Sequence, residues 1–309
     1  MKILFLFLDG VGLGANNPEI NPFARADLPH LKSLLQGRTL TYETAPQVGE
    51  RATLLALDAC LGVEGLPQSA TGQATLLTGI NVPALLGYHY GPKPNLAIAQ
   101  FLQNGSLFSR LSKEGKQVTF LNAYPPTYFE AIKSGRRIYS AIPLAVISAG
   151  LSLKSASDLH GQRAIAADLT AQGWREHLNL ADTPILTPTQ AGIRLVSLSR
   201  AYDFAFFEYW LSDLAGHRQD MNAACDVLEI FDQVLGSLVA SWDDEEGLII
   251  MTSDHGNLED LSTRRHTSNP VPALLIGSQS ARSDLQAQLL SLTDIAPALT
   301  GLLLSHRAM

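Results

Sequence analysis

Residues 248–257 read Leu-Ile-Ile-Met-Thr-Ser-Asp-His-Gly-Asn. An apolar run of strand length delivers an aspartate and a histidine to its end, with a glycine behind them. Buried strands carry their chemistry at the C-terminal edge in this way. Within a strand Asp254 and His255 would face opposite sides, but a turn eased by Gly256 can aim both at one cation. An isolated Asp-His pair is equally well explained as a polar turn after a strand, so the weight falls on what recurs elsewhere. The first apolar run, Ile3 to Leu8, ends in Asp9. The run Phe204 to Trp210 is followed by Asp213 and His217, four apart and so on one face of a helical turn. His266 lies in the loop before the strand Ala273 to Ile276. A loop from Leu66 leads through Ser69, Thr71 and Thr75 into helical spacing, where backbone N–H groups favour an anion. In a chain with eight histidines, the strand-end set is Asp9, Ser69, Asp213, His217, Asp254, His255 and His266. Three carboxylates and three imidazoles around a hydroxyl, with no thiolate, suit two divalent cations, Zn²⁺ or Mn²⁺.

The elements that must position these residues alternate strand and helix, which predicts an α/β sandwich: three layers, α/β/α, around a mainly parallel sheet. Met1 to Leu8 is too short an apolar run for a secretory signal, and Asp9 follows it, so it is expected to be the first buried strand. The spacing Gly10-Val11-Gly12-Leu13-Gly14 departs from a dinucleotide fingerprint, and Asn16, Asn17, Pro18 and Pro22 stand where its helix would begin. Phe23 to Leu35 is expected as one helix. Val227, Ile230, Phe231, Val234, Leu235 and Leu238 give amphipathic spacing to a helix over 221–242. Between residues 85 and 188 the texture changes, with prolines and glycines at Tyr88-His89-Tyr90-Gly91-Pro92-Lys93-Pro94, a strand at Val118 to Leu121 and a buried helix within 138–153. This stretch is expected to be a small inserted α/β cap, leaving residues 1–84 and 189–309 as the catalytic core. Within the cap, Lys133, Arg136 and Arg137 are the candidate phosphate clamp, and His89 is a candidate for facing the site from the hinge.

At 309 residues with 46% hydrophobic content, the chain is large enough for a substantial core and a smaller second unit. A formal net charge of −7 argues against a nucleic-acid or anionic-membrane partner. Small phosphorylated substrates stay open, because metal ions supply positive charge locally. Two cysteines, Cys60 and Cys225, make neither a disulfide framework nor a zinc-cysteine cluster, and a reducing cytoplasm is the simplest setting.

Five segments together resemble the alkaline phosphatase superfamily. Within it they resemble the metalloenzyme branch of cofactor-independent phosphoglycerate mutase and phosphopentomutase. They are Phe7-Leu8-Asp9-Gly10-Val11-Gly12, Ser69-Ala70-Thr71-Gly72-Gln73, Asp213-Leu214-Ala215-Gly216-His217, Thr252-Ser253-Asp254-His255-Gly256-Asn257 and His266-Thr267-Ser268-Asn269-Pro270-Val271-Pro272, in the order that family has them. The resemblance implies that Asp213, His217 and His266 hold one metal, and that Asp9, Asp254, His255 and the Ser69 oxygen hold the other. It also implies that Ser69 is the nucleophile, with Thr71 second in line, and that catalysis runs through a phosphoserine. Gln73 departs from the histidine expected of the mutases. Arginines that would bind a mutase substrate do not align onto the short cap. Phosphate-ester hydrolysis is therefore the leading expectation, a phosphomutase the alternative, and a catalytically silent metal-binding domain the third. The Cys/Ser-x-Pro-x-Arg context of a sulfatase is absent.

Overall fold

The computed structural model describes residues 1–305. Its strands are β1 (Lys2–Leu8), β2 (Gln47–Val48), β3 (Ala52–Leu57), β4 (Val118–Phe120), β5 (Ala123–Tyr124), β6 (Lys154–Ser155), β7 (Phe204–Tyr209), β8 (Gly247–Thr252) and β9 (Val271–Gly277). The helices that bear on the site are α1 (Ser69–Thr78), α2 (Pro188–Ser199), α3 (Leu211–Arg218), α4 (Met221–Ser241) and α5 (Leu292–Ser305).

A seven-stranded sheet runs in the order β2-β3-β9-β8-β1-β7-β4. β1 pairs in parallel with β7 and β8, and β4 in parallel with β7. β9 runs antiparallel to β8 and β3, and β2 antiparallel to β3. All strands but β2 and β9 therefore point the same way, as a mainly parallel sheet requires. β1 reads as an unbroken apolar run because both its faces are covered. Ile3, Phe5 and Phe7 join one apolar cluster, with α1, α5 and the buried helix Ala141–Ser148, whereas Leu4, Leu6 and Leu8 join the other, with α2 and α4. Helices on both faces make three layers.

The adjacent parallel strands β8, β1 and β7 end on one edge of the sheet. That edge receives Asp254-His255, Asp9 and α3 together. The β8–β9 connection carries His266 over the same edge, and β3, aligned with β8, leads into the loop before Ser69.

One sequence expectation is corrected. Phe23–Leu35 is not one helix but two short ones, Pro22–Arg25 and Pro29–Leu34, with Leu28 at φ −118° and ψ 64° between them. Pro29 disfavours helical geometry in the residue before it. Within the stretch 85–188, β4 lies in the main sheet, and the helices Leu96–Asn104, Leu107–Lys113 and Ala141–Ser148 pack on its apolar face. The part with a core of its own is smaller. The β5–β6 ribbon and the helix Gln172–Leu178 enclose Ala123, Leu159, Ala164, Ala166, Ala171 and Trp174.

Candidate metal centre

The strand-end set converges. His255 is fully buried, with its Nε2 3.0 Å from Ser69 Oγ, 3.4 Å from Asp9 Oδ1 and 3.6 Å from Asp254 Oδ2. His217 Nε2 lies 3.4 Å from Asp213 Oδ2, and His266 Nε2 is 3.9 Å from Asp213 Oδ1 and 3.4 Å from His217 Nε2. The His255 and His266 rings stack at 3.7 Å between centroids. Two groups offer ligand atoms within 4.8 Å of one another, Asp213-His217-His266 and Asp9-Asp213-His255. Asp213 stands between them.

Second partners orient the imidazoles. Nδ1 faces a backbone carbonyl in each: Arg264 O at 2.9 Å for His217, Pro67 O at 2.7 Å for His266 and Gly256 O at 3.3 Å for His255. A carbonyl only accepts, so Nδ1 carries hydrogen and every Nε2 is turned toward the carboxylates, the arrangement of metal-ligating histidines. Gln73 Nε2 donates to Asp254 Oδ2 at 3.1 Å, and Asn257 Nδ2 to Asp213 Oδ1 at 2.7 Å.

The electrostatics fit a cation. Burial pushes the Asp9 and Asp254 carboxyls upward, with neighbouring carboxylates adding to the shift. Burial alone would depress His255, yet Asp254, Asp9 and Asp213 outweigh it and raise the imidazole to about 10. Burial likewise opposes ionisation of Asp213, but the hydrogen bond from His217 and the charge of His255 bring it to about 2. Burial and the His255 charge lower His266 to about 4. Asp9 Oδ1, although buried, has no partner beyond the 3.4 Å approach of His255 Nε2. A cluster of buried carboxylates that draws a proton onto a buried imidazole suits divalent cations.

Glu259 ties the loops together. Its Oε2 accepts from Gly12 N at 2.9 Å and Asn257 N at 2.8 Å, and its Oε1 accepts from Asn269 Nδ2 at 3.0 Å and from Thr267 Oγ1. One buried carboxylate thus joins the segments after β1 and β8 to the loop that follows His266. A Cβ at Gly12, Gly14 or Gly256 would run into the Glu259 side chain. The glycine spacing after β1 is the imprint of this carboxylate. Gly10 has a different duty: it turns the chain at φ +68° against Asp213, which no side chain there would permit.

A cavity of about 450 Å³ opens on the centre, bordered by His217, His266, Gln68, Tyr88, His89, Tyr90, Arg264 and Arg265. His89 is among these bordering residues, and Lys133, Arg136 and Arg137 are not. Arg136 is exposed and donates to Ser134 Oγ at 3.0 Å, Lys133 is exposed at the end of the helix Pro126–Lys133, and Arg137 lies over the Tyr128 ring at 4.8 Å. Among the described residues, none between 92 and 187 borders this cavity. Sequence reasoning assigned no role to Arg264 and Arg265, although their adjacency to His266 was a usable signal.

Glu208, on β7, also escaped notice inside its apolar run. It is 7% exposed, and burial, then Asp9 and Asp254, raise its carboxyl from 4.5 to about 8. The folded protein thus holds a proton that the unfolded chain has released between these values. Stability conferred by neutral Glu208 is full below pH 4.5 and declines by about 1.4 kcal/mol per pH unit up to pH 8. In metal-free protein, Glu208→Gln is expected to flatten this decline and to be the more stable form at pH 8. Urea unfolding at several pH values measures it, and parallel pH profiles for the two proteins would refute the assignment.

Residues 190–306 match the Metalloenzyme superfamily. This match over the C-terminal part of the chain agrees with the resemblance seen in the motifs. Over 108 residues, 33% of this chain, it is 35% identical to the 2,3-bisphosphoglycerate-independent phosphoglycerate mutase of Desulforudis audaxviator. Over 128 residues, 39% of this chain, it is 34% identical to the enzyme of that name from a Ruegeria species. The matched segments span 21% and 25% of those relatives. Among solved structures, a Pyrococcus horikoshii protein aligns over 100% of this chain and 98% of its own with a TM-score of 0.60 at 15% identity. The Leishmania mexicana phosphoglycerate mutase aligns over 98% and 95% with 0.57 at 11%. A cold-active alkaline phosphatase from a Shewanella species aligns over 98% and 100% with 0.54 at 13%. These likenesses establish an alkaline-phosphatase-like fold across the whole chain, including the part before residue 190. Among the described residues, no helix is long and apolar enough to cross a membrane.

Proposed function

We propose that this chain is a two-metal phosphoryl-transfer enzyme that hydrolyses small phosphate esters through a phosphoserine at Ser69. The observation that carries the reading is the position of Ser69. Its hydroxyl opens the buried helix α1 and lies 3.0 Å from His255 Nε2, within the cluster of carboxylates and imidazoles. Thr71 is otherwise engaged: its hydroxyl donates toward Gln68 O at 3.1 Å and Tyr90 O at 3.3 Å and accepts from Tyr90 N at 3.1 Å. That favours Ser69 within the loop.

Asp213, His217 and His266 would hold one divalent ion, and Asp9, Asp254, His255 and Ser69 the other, with Mn²⁺ and Zn²⁺ the ions such donors suit. Bound there, the ions would lower the pKa of the Ser69 hydroxyl and neutralise charge on the phosphoryl oxygens. Ser69 Oγ forms a bond to phosphorus as the ester P–O bond breaks, and the departing oxygen leaves as the alcohol after taking up a proton. Water then cleaves the phosphoserine, releasing inorganic phosphate and restoring the hydroxyl. The N-terminus of α1 adds backbone N–H groups and a positive dipole end for the transferred group.

Hydrolysis is favoured over mutase chemistry by the open cavity. The His217 side chain is 42% exposed, and among the described residues no element of the smaller unit borders this cavity to exclude water, which a mutase must do while its intermediate turns over. The mutase reading retains the support of the named relatives, and the silent-domain reading is answered by the same experiment. Metal-loaded protein incubated with a panel of sugar phosphates and phosphoglycerates, followed by ³¹P NMR, is expected to yield inorganic phosphate. Positional isomers would instead make it a mutase. Absence of turnover with two equivalents of metal bound, together with no phosphopeptide containing Ser69 by mass spectrometry, would sink both.

A further inference from the structure

A second cavity, of about 590 Å³, lies on the far side of α3. On this helix Asp213 and His217 face the centre. Leu211, Leu214 and Arg218, rotated roughly 100–160° from Asp213 at about 100° per residue, border the second cavity with Tyr124, Tyr128, Trp174 and Trp210. Its size is within the usual range of small-molecule sites, and aromatic walls carrying a few polar groups are what such sites are made of.

Three polar groups on its wall, Arg137, Arg218 and Tyr128, are donors lacking acceptors among the described residues. Neither Arg137 nor Arg218 forms an ion pair among the described residues. The Tyr128 side chain is 5% exposed, yet its buried hydroxyl has no hydrogen-bond partner. The acidic groups on the wall are occupied. Asp168 accepts from Ala171 N at 2.8 Å and Gly173 N at 2.6 Å, and Glu176 accepts from Gln172. The apolar surface is equally unmatched, with Trp210 44% and Leu214 38% exposed. A buried donor left unmade and an apolar rim left wet are both unfavourable, and one kind of molecule relieves both.

We propose that this cavity binds a planar aromatic anion, with its ring against the tryptophan and tyrosine walls and its acid group on Arg137, Arg218 and the Tyr128 hydroxyl. Arg137 is already stacked on Tyr128, so a ring acid would extend an existing face-to-cation contact. The site is separate from the metal centre and does not depend on the reaction performed there.

The test uses metal-loaded full-length protein titrated with 8-anilino-1-naphthalenesulfonate, with neutral N-phenyl-1-naphthylamine as comparator. Saturable one-to-one binding of the sulfonate is expected, tighter than that of the neutral probe and undiminished by inorganic phosphate. Arg137→Ala and Arg218→Ala are each expected to weaken it about tenfold, and Trp210→Ala to reduce energy transfer from tryptophan to the probe. All three positions are exposed, and an unchanged melting temperature confirms that each variant is folded. Equal binding of both probes, displacement by phosphate, or indifference to all three substitutions would overturn the proposal.

Discussion

Ser69→Ala is expected to lower phosphate-ester turnover by about 10³-fold or more while leaving both metal equivalents bound. The loss is large because, in the proposed reaction, this oxygen forms the bond to phosphorus, and no neighbouring hydroxyl is free to substitute. Thr71 is tied to the backbone of Tyr90, and the Thr75 hydroxyl donates back to Thr71 O at 2.8 Å within α1. Stability is expected to change by no more than about 1 kcal/mol, because a small side chain loses one atom. Steady-state rates, metal analysis and a melting curve on the same preparation separate the two effects. Turnover within tenfold of the parent would remove Ser69 from the mechanism. If instead metal were lost in parallel with activity, the serine oxygen would be primarily a ligand.

Glu259→Ala is expected to have the largest effect on the assembly of the centre. It strips the acceptor from two backbone N–H groups, a hydroxyl and an amide, at Gly12, Asn257, Thr267 and Asn269. Buried donors left unsatisfied cost about 1–3 kcal/mol each. Water entering the vacated space would restore some of this, so a net loss of about 4 kcal/mol is the expectation for metal-free protein. Metal affinity should fall about 10–100-fold, as when other outer partners of ligands are removed. Glu259→Gln keeps the shape but presents an NH₂ group to donors, and should lie between the two. Denaturant unfolding in chelator and calorimetric metal titration measure the pair of effects. A folded Ala variant that binds metal as tightly as the parent would show that the loops hold their places without this tie.

Part of this candidate centre was legible because Asp9, Asp254 and His255 sit where an apolar run stops. Asp9 after Leu8, and Asp254 and His255 after the run through Met251, are separated by more than 240 residues, yet both follow from β1 and β8 being buried on both faces. What escaped is set by contacts made across the chain. Glu259 looks like an ordinary acidic loop residue until three segments close around it. Glu208 was hidden by its apolar neighbours on β7. β4 is three residues long, and nothing local distinguishes it from a cap strand; its pairing with β7 alone puts it in the main sheet. Arg137 and Lys133 share a basic turn with Arg136, and only the fold turns that region away from the metal centre.

The cradle around Glu259 also bears on how this sequence can change. Gly12, Gly14 and Gly256 are empty volumes shaped by one side chain that lies far along the chain from two of them. A methyl group gained at Gly12 meets the carboxylate alone, one at Gly256 meets it together with Thr267 Oγ1, and one at Gly14 meets the Glu259 stem and backbone oxygen, so a shorter residue at 259 makes room at Gly12 only by loosening the loops. Viable substitutions at Gly12 and Glu259 are therefore coupled. Drift at one is permitted only alongside a matching change at the other, which ties the loop after β1 to the loop after β8 although the chain delivers them from opposite ends.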